Sequence, residues 1–185
     1  MVNNTMLLEG LDALGITLSV SQIDQLSRFE TEISLFNDIY KLVNAKGDEL
    51  IIKHFLASLA PLPILRDIIN RKGGATQCAD IGSGGGFPAI PLSIALPETS
   101  WSLIERSKKR CGFLENVVAT CNLYGRVSVL DRDLKEIHQH YDVVTFRAFS
   151  SINDVLSSLQ TIISEDGIIC AYKGKIETSM EELKH

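Results

Sequence analysis

The segment Ala79-Asp80-Ile81-Gly82-Ser83-Gly84-Gly85-Gly86-Phe87-Pro88 places four glycines within five positions. Glycine removes the Cβ atom where a chain turns sharply or lets a ligand approach its backbone. Apolar runs before and after it read as a strand and a helix, and such a turn at the carboxyl end of the first strand of an open α/β sheet is a ligand site. The residues around the glycines narrow the ligand. A dinucleotide fingerprint needs a small residue at its sixth place, which counted from Gly82 is Phe87, and it holds a pyrophosphate with the N–H groups of the helix start. Pro88 removes one of those N–H groups and Phe87 adds bulk. A Walker loop requires Gly-Lys followed by Ser or Thr, which the chain lacks. What remains is a cofactor with an adenosine and no phosphate, such as S-adenosylmethionine.

Glu105 lies 23 residues after Gly82, at the end of the second predicted strand. An acidic residue near this spacing accepts hydrogen bonds from both ribose hydroxyls, in NAD sites and methyltransferase sites alike, so it supports an adenosine without naming the cofactor. The alternative is a surface glutamate paired with the basic run Arg106, Lys108, Lys109 and Arg110.

These residues need a sheet to position them. From Thr76 onward short apolar runs alternate with helical patterns, and the predicted strands are 77–81, 101–105, 127–130, 142–147 and 167–172. Helices are predicted over 87–96, 107–122, 134–138 and 152–163. Repeated β-α units imply parallel strands with right-handed helical crossovers, hence a doubly wound α/β sheet. The first seventy residues read as helices only. Leu7, Leu8, Leu11 and Leu14 form one apolar face that Gly15 ends, and Ser21 with Asp24 resembles a capping pair for a long helix through Tyr40. A third helix, 49–60, is predicted to stop at Pro61 and Pro63, and Arg71-Lys72-Gly73-Gly74 is the expected boundary between an N-terminal helical layer (1–72) and the α/β domain (73–185).

A chain of 185 residues with 45% hydrophobic and 22% charged residues fits one folded domain with a small extra layer. Eighteen basic against 23 acidic residues give a net charge of −5, so any nucleic-acid contact must use a local patch. Cys78, Cys111, Cys121 and Cys170 form no C-x-x-C pair, and no metal site is expected. No apolar run is long enough to span a membrane and the start lacks a positive n-region, which predicts a cytoplasmic protein.

With Gly82 to Pro88, Glu105-Arg106-Ser107-Lys108-Lys109-Arg110-Cys111-Gly112-Phe113-Leu114 and Arg147-Ala148-Phe149 in this order, the chain resembles the RsmG (GidB) family. The resemblance runs from the second helix to Lys173-Gly174. It implies a Rossmann-like class I methyltransferase that uses S-adenosylmethionine to methylate N7 of a guanine in 16S ribosomal RNA of the small subunit. By position it implies cofactor contacts at Gly82, Phe87, Asp133, Leu134 and Arg147, with Asp133 and Leu134 bracketing the adenine, and Gly84, Gly86 and Glu105 complete the expected cofactor set. Many relatives carry an acidic residue where this chain has Leu134. In the helical layer Asn37, His54 and Ser58 match the family pattern, while Lys41 and Ala57 replace polar residues.

Guanine presents N7 and O6 as neighbouring acceptors, an edge that the fork of an arginine matches. Arg147 and Arg132 are the candidates, since both close predicted strands on the ligand side; for Arg132 a local ion pair with Asp131 or Asp133 is the alternative. Three functions stay open at this point: a ribosomal RNA methyltransferase, an NAD-linked oxidoreductase, and a binding module without turnover. The resemblance also predicts two strands more than the sequence supplies: only 11 residues follow Gly174, reading as a short amphipathic helix over 176–184. The fifth strand is therefore expected at an edge of the sheet.

Overall fold

The structure, a computed structural model, describes residues 4–73, 75–147 and 152–173. Its N-terminal part is helical. Helix α1 (Asn4–Ala13) buries Leu7 and Leu11 and leaves Leu8 exposed, and Gly15 follows with a φ of 65°. Helix α2 (Val20–Tyr40) starts two residues earlier than expected. Its cap is Ser19, whose Oγ accepts from the Gln22 N–H, while the Gln22 side chain accepts from the Ser19 N–H. That reciprocal pair satisfies two otherwise orphaned donors, which Ser21 and Asp24 do not do.

Helix α3 (Asp48–Leu50) runs into a π-helical stretch, Ile51–Leu56, and on into α4 (Ala57–Leu59). The helix stops ahead of Pro61, as expected, with Ala60 as its C-cap, and a new helix, α5 (Leu62–Lys72), starts with Pro63 in its first turn, where a missing N–H is harmless. Gly73, at a φ of 60°, ends it.

The strands are β1 (Thr76–Ile81), β2 (Thr99–Glu105), β3 (Val127–Asp131), β4 (Tyr141–Arg147) and β5 (Ile163–Tyr172). All their pairings are parallel and the order is β3-β2-β1-β4-β5, the doubly wound arrangement. Helices α6 (Ala89–Ala95), α7 (Lys108–Thr120) and α8 (Ile152–Leu159) form the crossovers, and the β3–β4 link holds only a 3₁₀ turn, Leu134–Glu136. β5 begins at Ile163 rather than Gly167. Tyr141 pairs with Ile163 and Val143 with Ile168, so 164–167 bulges out of register. β5 is an edge strand among the described residues, and the helix expected over 176–184 lies outside them.

Alternation along the strands sends side chains to two cores. Cys78, Trp101, Leu103 and Val143 face α6, α7 and the N-terminal helices, whose Phe29, Phe55 and Leu65 join the same cluster. Ala79, Ile81, Ile104, Val144 and Phe146 face Leu159 and Ile162 on the other side. The helical layer thus shares one continuous core with one face of the sheet.

Candidate active site

The order of strands reverses between β1 and β4, and ligands of open α/β sheets bind outside the carboxyl ends at such a point. Gly82, Gly84 and Gly86 sit there with φ of 69°, 54° and 89°. At Gly86 glycine is doubly required. A Cβ would meet Ile90 Cγ1 at 2.9 Å, Phe29 Cζ at 3.2 Å and Leu114 Cδ2 at 3.3 Å, so this residue faces the core and has only its backbone to offer a ligand.

Glu105 closes β2 beside the turn. It is 5% exposed, not a surface residue, and its carboxylate accepts from the Gly84 N–H and from the Ser107 N–H, each at 2.9 Å. Arg110 Nη1 stands 4.0 Å away. The glutamate therefore latches the glycine turn to the start of α7. A carboxylate has about four lone-pair sites, so two remain for further donors.

Asp80, whose place within the predicted strand 77–81 gives no local sign of a role, is 1% exposed. Its Oδ1 accepts from Thr145 Oγ1 at 2.7 Å, and its buried Oδ2 has no partner among the described residues. Burial pushes its pKa up to about 7, against the lowering pull of the Thr145 and Ser83 hydrogen bonds. An orphaned buried carboxylate oxygen beside a glycine turn is suited to a cationic group on a ligand.

Arg147 follows Phe146, which pairs with Ile81, so it emerges alongside Gly82. Its Nη2 donates to the Lys53 carbonyl at 2.5 Å, and its Nη1 lies 3.4 Å from His54 Nδ1. The π-helical stretch makes this possible. The Ala57 N–H bonds the carbonyls of Ile52 and His54 and skips that of Lys53, which Arg147 takes instead. Burial, then the Arg147 charge, lower the His54 pKa to about 4, so the ring is neutral near pH 7 and Nδ1 is free to accept. Ser58 Oγ donates to the His54 carbonyl, and Tyr172 Oη at the end of β5 donates to the Ser58 carbonyl at 2.7 Å. Ser58 and His54 thus tie the helical layer to the ends of β4 and β5.

The other expected residues are placed apart or committed elsewhere. The Phe87 ring is 6% exposed and packs on Phe29, Phe55 and His54, with centroids at 4.8, 5.1 and 5.0 Å. Asp133 caps the 3₁₀ turn: its side chain accepts from the Lys135 N–H and its N–H donates to Glu136. Leu134 is half-buried. Arg132 is exposed and forms no ion pair among the described residues. It follows β3, three strand spacings from β4, or about 14 Å. Asn37, 9% exposed, accepts from the N–H groups of Leu42 and Val43, each at 2.9 Å. This holds Leu42 so close to Gly85 that a Cβ there would lie 3.1 Å from the Leu42 carbonyl oxygen. A separate cavity lined by Arg71, Lys72, Thr76, Asp142 and Asp166 lies at the amino ends of β1 and β4, away from this site.

Residues 22–185 match the family described as rRNA small subunit methyltransferase G. The ribosomal RNA small subunit methyltransferase G of Borrelia turicatae is 33% identical over 177 residues, covering 95% of this chain and 83% of its own. The protein of the same name from Alteromonas mediterranea is 33% identical over 185 residues, 97% of this chain and 83% of its own. Among solved structures, precorrin-6y C5,15-methyltransferase from Geobacter metallireducens superimposes with a TM-score of 0.53 at 15% identity, covering 80% of this chain and 76% of its own. A Plasmodium falciparum chain assigned as protein-L-isoaspartate O-methyltransferase, solved with S-adenosyl-L-homocysteine, gives 0.56 at 16% identity, covering 94% and 85%. These last two show the fold alone. No helix among the described residues is long and apolar enough to cross a membrane. Matched along nearly all its length by sequence, the chain belongs to the rRNA small subunit methyltransferase G family.

Proposed function

We infer that the protein transfers the methyl group of S-adenosylmethionine to N7 of a guanine in 16S ribosomal RNA, within the small ribosomal subunit in the cytoplasm. The observation that carries this is the family match over residues 22–185. A binding module without turnover is not favoured, and an NAD enzyme conflicts with Phe87-Pro88 at the turn. Residues 1–72 and 73–185 act as one compact unit, supported by the core they share.

The residues present fit the cofactor. Bound, it supplies an electrophilic methyl carbon on a sulfonium. The Asp80 Oδ2 suits its α-ammonium group, the backbone around Gly82 and Gly84 its amino-acid portion, and the free lone pairs of Glu105 the ribose hydroxyls. Leu134 and the Asp133 backbone supply an adenine wall, and any Phe87 contact falls to its backbone.

Guanine N7 attacks through a lone pair and carries no proton, so no general base is needed. The enzyme's work is alignment, which can supply roughly 7–11 kcal/mol. Arg147 is held by Lys53 and His54 with N–H groups to spare. One of them at guanine O6 orients the base; N7 itself must stay free of donors, because its lone pair forms the new bond. Incubation with labelled S-adenosylmethionine and undermethylated small subunits should label one guanine at N7. NAD binding without S-adenosylmethionine binding would overturn the assignment.

The Asp80 assignment has a pH signature. Because its folded pKa is raised to about 7, the carboxyl contributes stability that is full below its unfolded pKa of about 3.9 and is lost as pH rises through about 7. The ligand-free protein should therefore melt at falling temperature from about pH 5 to about pH 8, and Asp80→Asn should flatten that slope. Affinity for S-adenosylmethionine should rise over the same window in the native protein and be low throughout in the variant. Thermal melts and titration calorimetry across pH check both; a pH-independent affinity would detach Asp80 from the cofactor.

A further inference from the structure

Gly112 has no reason to be glycine in the isolated fold. Every other described glycine either has a positive φ or would bring a Cβ against a neighbouring atom, whereas at Gly112 φ is ordinary and nothing lies within 4 Å of the Cβ position. It sits inside α7, where alanine favours the helix more. Glycine without an internal need is what a close approach from outside requires. Three and four residues before it, on the same face of the helix, stand Lys109 and Lys108, both exposed.

Across from them lies the end of α2. Lys109 Nζ rests 4.9 Å above the Tyr40 ring and donates to the Ile39 carbonyl at 3.2 Å, while Tyr40 stacks on Phe36 at 5.6 Å. Lys41 follows, exposed and fixed at a φ of 52°. Neither Lys41, Arg106 nor Lys108 has a carboxylate within ion-pair distance among the described residues. In a chain of net charge −5, this is a ridge of cations outside any ion pair among the described residues, on rigid supports. It borders the glycine turn twice, through Leu42 against Gly85 and through Ser107, which shares the Glu105 carboxylate with Gly84.

We propose that this ridge, Tyr40-Lys41 with Lys108, Lys109 and Gly112, is where the sugar-phosphate backbone of the substrate RNA lies, with Gly112 kept bare so that the strand can touch the helix. The proposal rests on the ribosomal RNA reading and says how that site takes its substrate. Phosphate fits the charge, and the adjoining cofactor turn favours a strand whose base must reach it over a membrane or an acidic protein.

The test is binding of unmethylated 16S ribosomal RNA by the full chain across a salt series. Lys41→Ala and Lys108→Ala should each lower the slope of log K against log salt by about 0.7–0.9, one phosphate contact apiece. Gly112→Ala should act in opposite directions: a melting temperature higher by about 2–4 °C and RNA affinity weaker by about tenfold, or about 1.4 kcal/mol. Its affinity for S-adenosylmethionine should not change. Unchanged slopes with unchanged RNA affinity in Gly112→Ala would overturn the proposal, as would a lowered melting temperature, which would make Gly112 a requirement of the fold. Anionic phospholipid vesicles that bind more tightly than RNA through the same lysines would assign the ridge to a membrane instead. Native protein that methylates RNA while the variants match it defeats the ridge alone; native protein that neither binds nor methylates RNA defeats the ribosomal RNA reading beneath it.

Discussion

Glu105→Ala is expected to weaken S-adenosylmethionine and its demethylated product by roughly ten- to a hundredfold. A hydrogen bond to a charged acceptor contributes about 1.5–3 kcal/mol net, and about 1.4 kcal/mol is a decade of affinity. The same variant should also melt at a lower temperature, because the carboxylate holds two backbone donors as well as facing the ligand. Without it the Gly84 and Ser107 N–H groups lose their acceptors, and the glycine turn is no longer latched to the start of α7. Glu105→Gln separates the two roles. Its amide keeps one acceptor oxygen but turns an NH₂ toward one of those N–H groups, so it should fall between the native protein and the alanine variant in both affinity and melting temperature. Titration calorimetry with each ligand and scanning calorimetry without ligand measure the two effects independently. An alanine variant with native affinity would take Glu105 out of the cofactor site.

The parts of this fold that follow from periodicity were legible in the sequence, and the parts set by contacts between distant segments were not. Alternating apolar runs located all five described strands, and the glycine cluster located the turn at the reversal of strand order. The π-helical stretch at Ile51–Leu56 is not legible in the apolar spacing, because its buried side chains Ile51 and Phe55, followed by Leu59, recur every four residues, a spacing that an α-helix also accommodates. Its consequence, a Lys53 carbonyl vacated for Arg147, depends on β4 arriving from 94 residues away. Asp80 reads as one more residue of a strand, because nothing local distinguishes a buried carboxylate with a missing partner from one that is satisfied. Gly86 is expected at the cofactor from its place in the turn and Phe87 from the family resemblance, and both also pack against Phe29 of α2, a contact that the sequence does not show. The β5 boundary moved for a similar reason: Ile163 reads equally well as the end of a helix, and only its pairing with Tyr141 makes it a strand.

Arg147→Ala is expected to leave a folded protein with near-native affinity for S-adenosylmethionine and to slow methyl transfer by about a hundredfold, the effect of a misplacement on the order of 1 Å at the reacting atoms. The affinity should persist because Asp80 and Glu105, not Arg147, face the cofactor's charged and hydroxyl groups in the arrangement proposed above. The rate should fall because the guanidinium is the polar group at the end of β4 that two fixed acceptors, the Lys53 carbonyl and neutral His54, hold beside the turn. Arg147→Lys should not rescue it: one ammonium cannot meet Lys53 and His54 and still present a donor at O6 in the same plane. His54→Asn offers a finer control, since its amide oxygen can replace Nδ1 as the acceptor, and it should retain far more activity than His54→Ala. Single-turnover transfer to undermethylated small subunits, with cofactor affinity measured on the same preparations, separates positioning from binding. Near-native rates in Arg147→Ala would remove the residue from the site, whereas a joint loss of rate and cofactor affinity would move it from orienting the base to holding the cofactor.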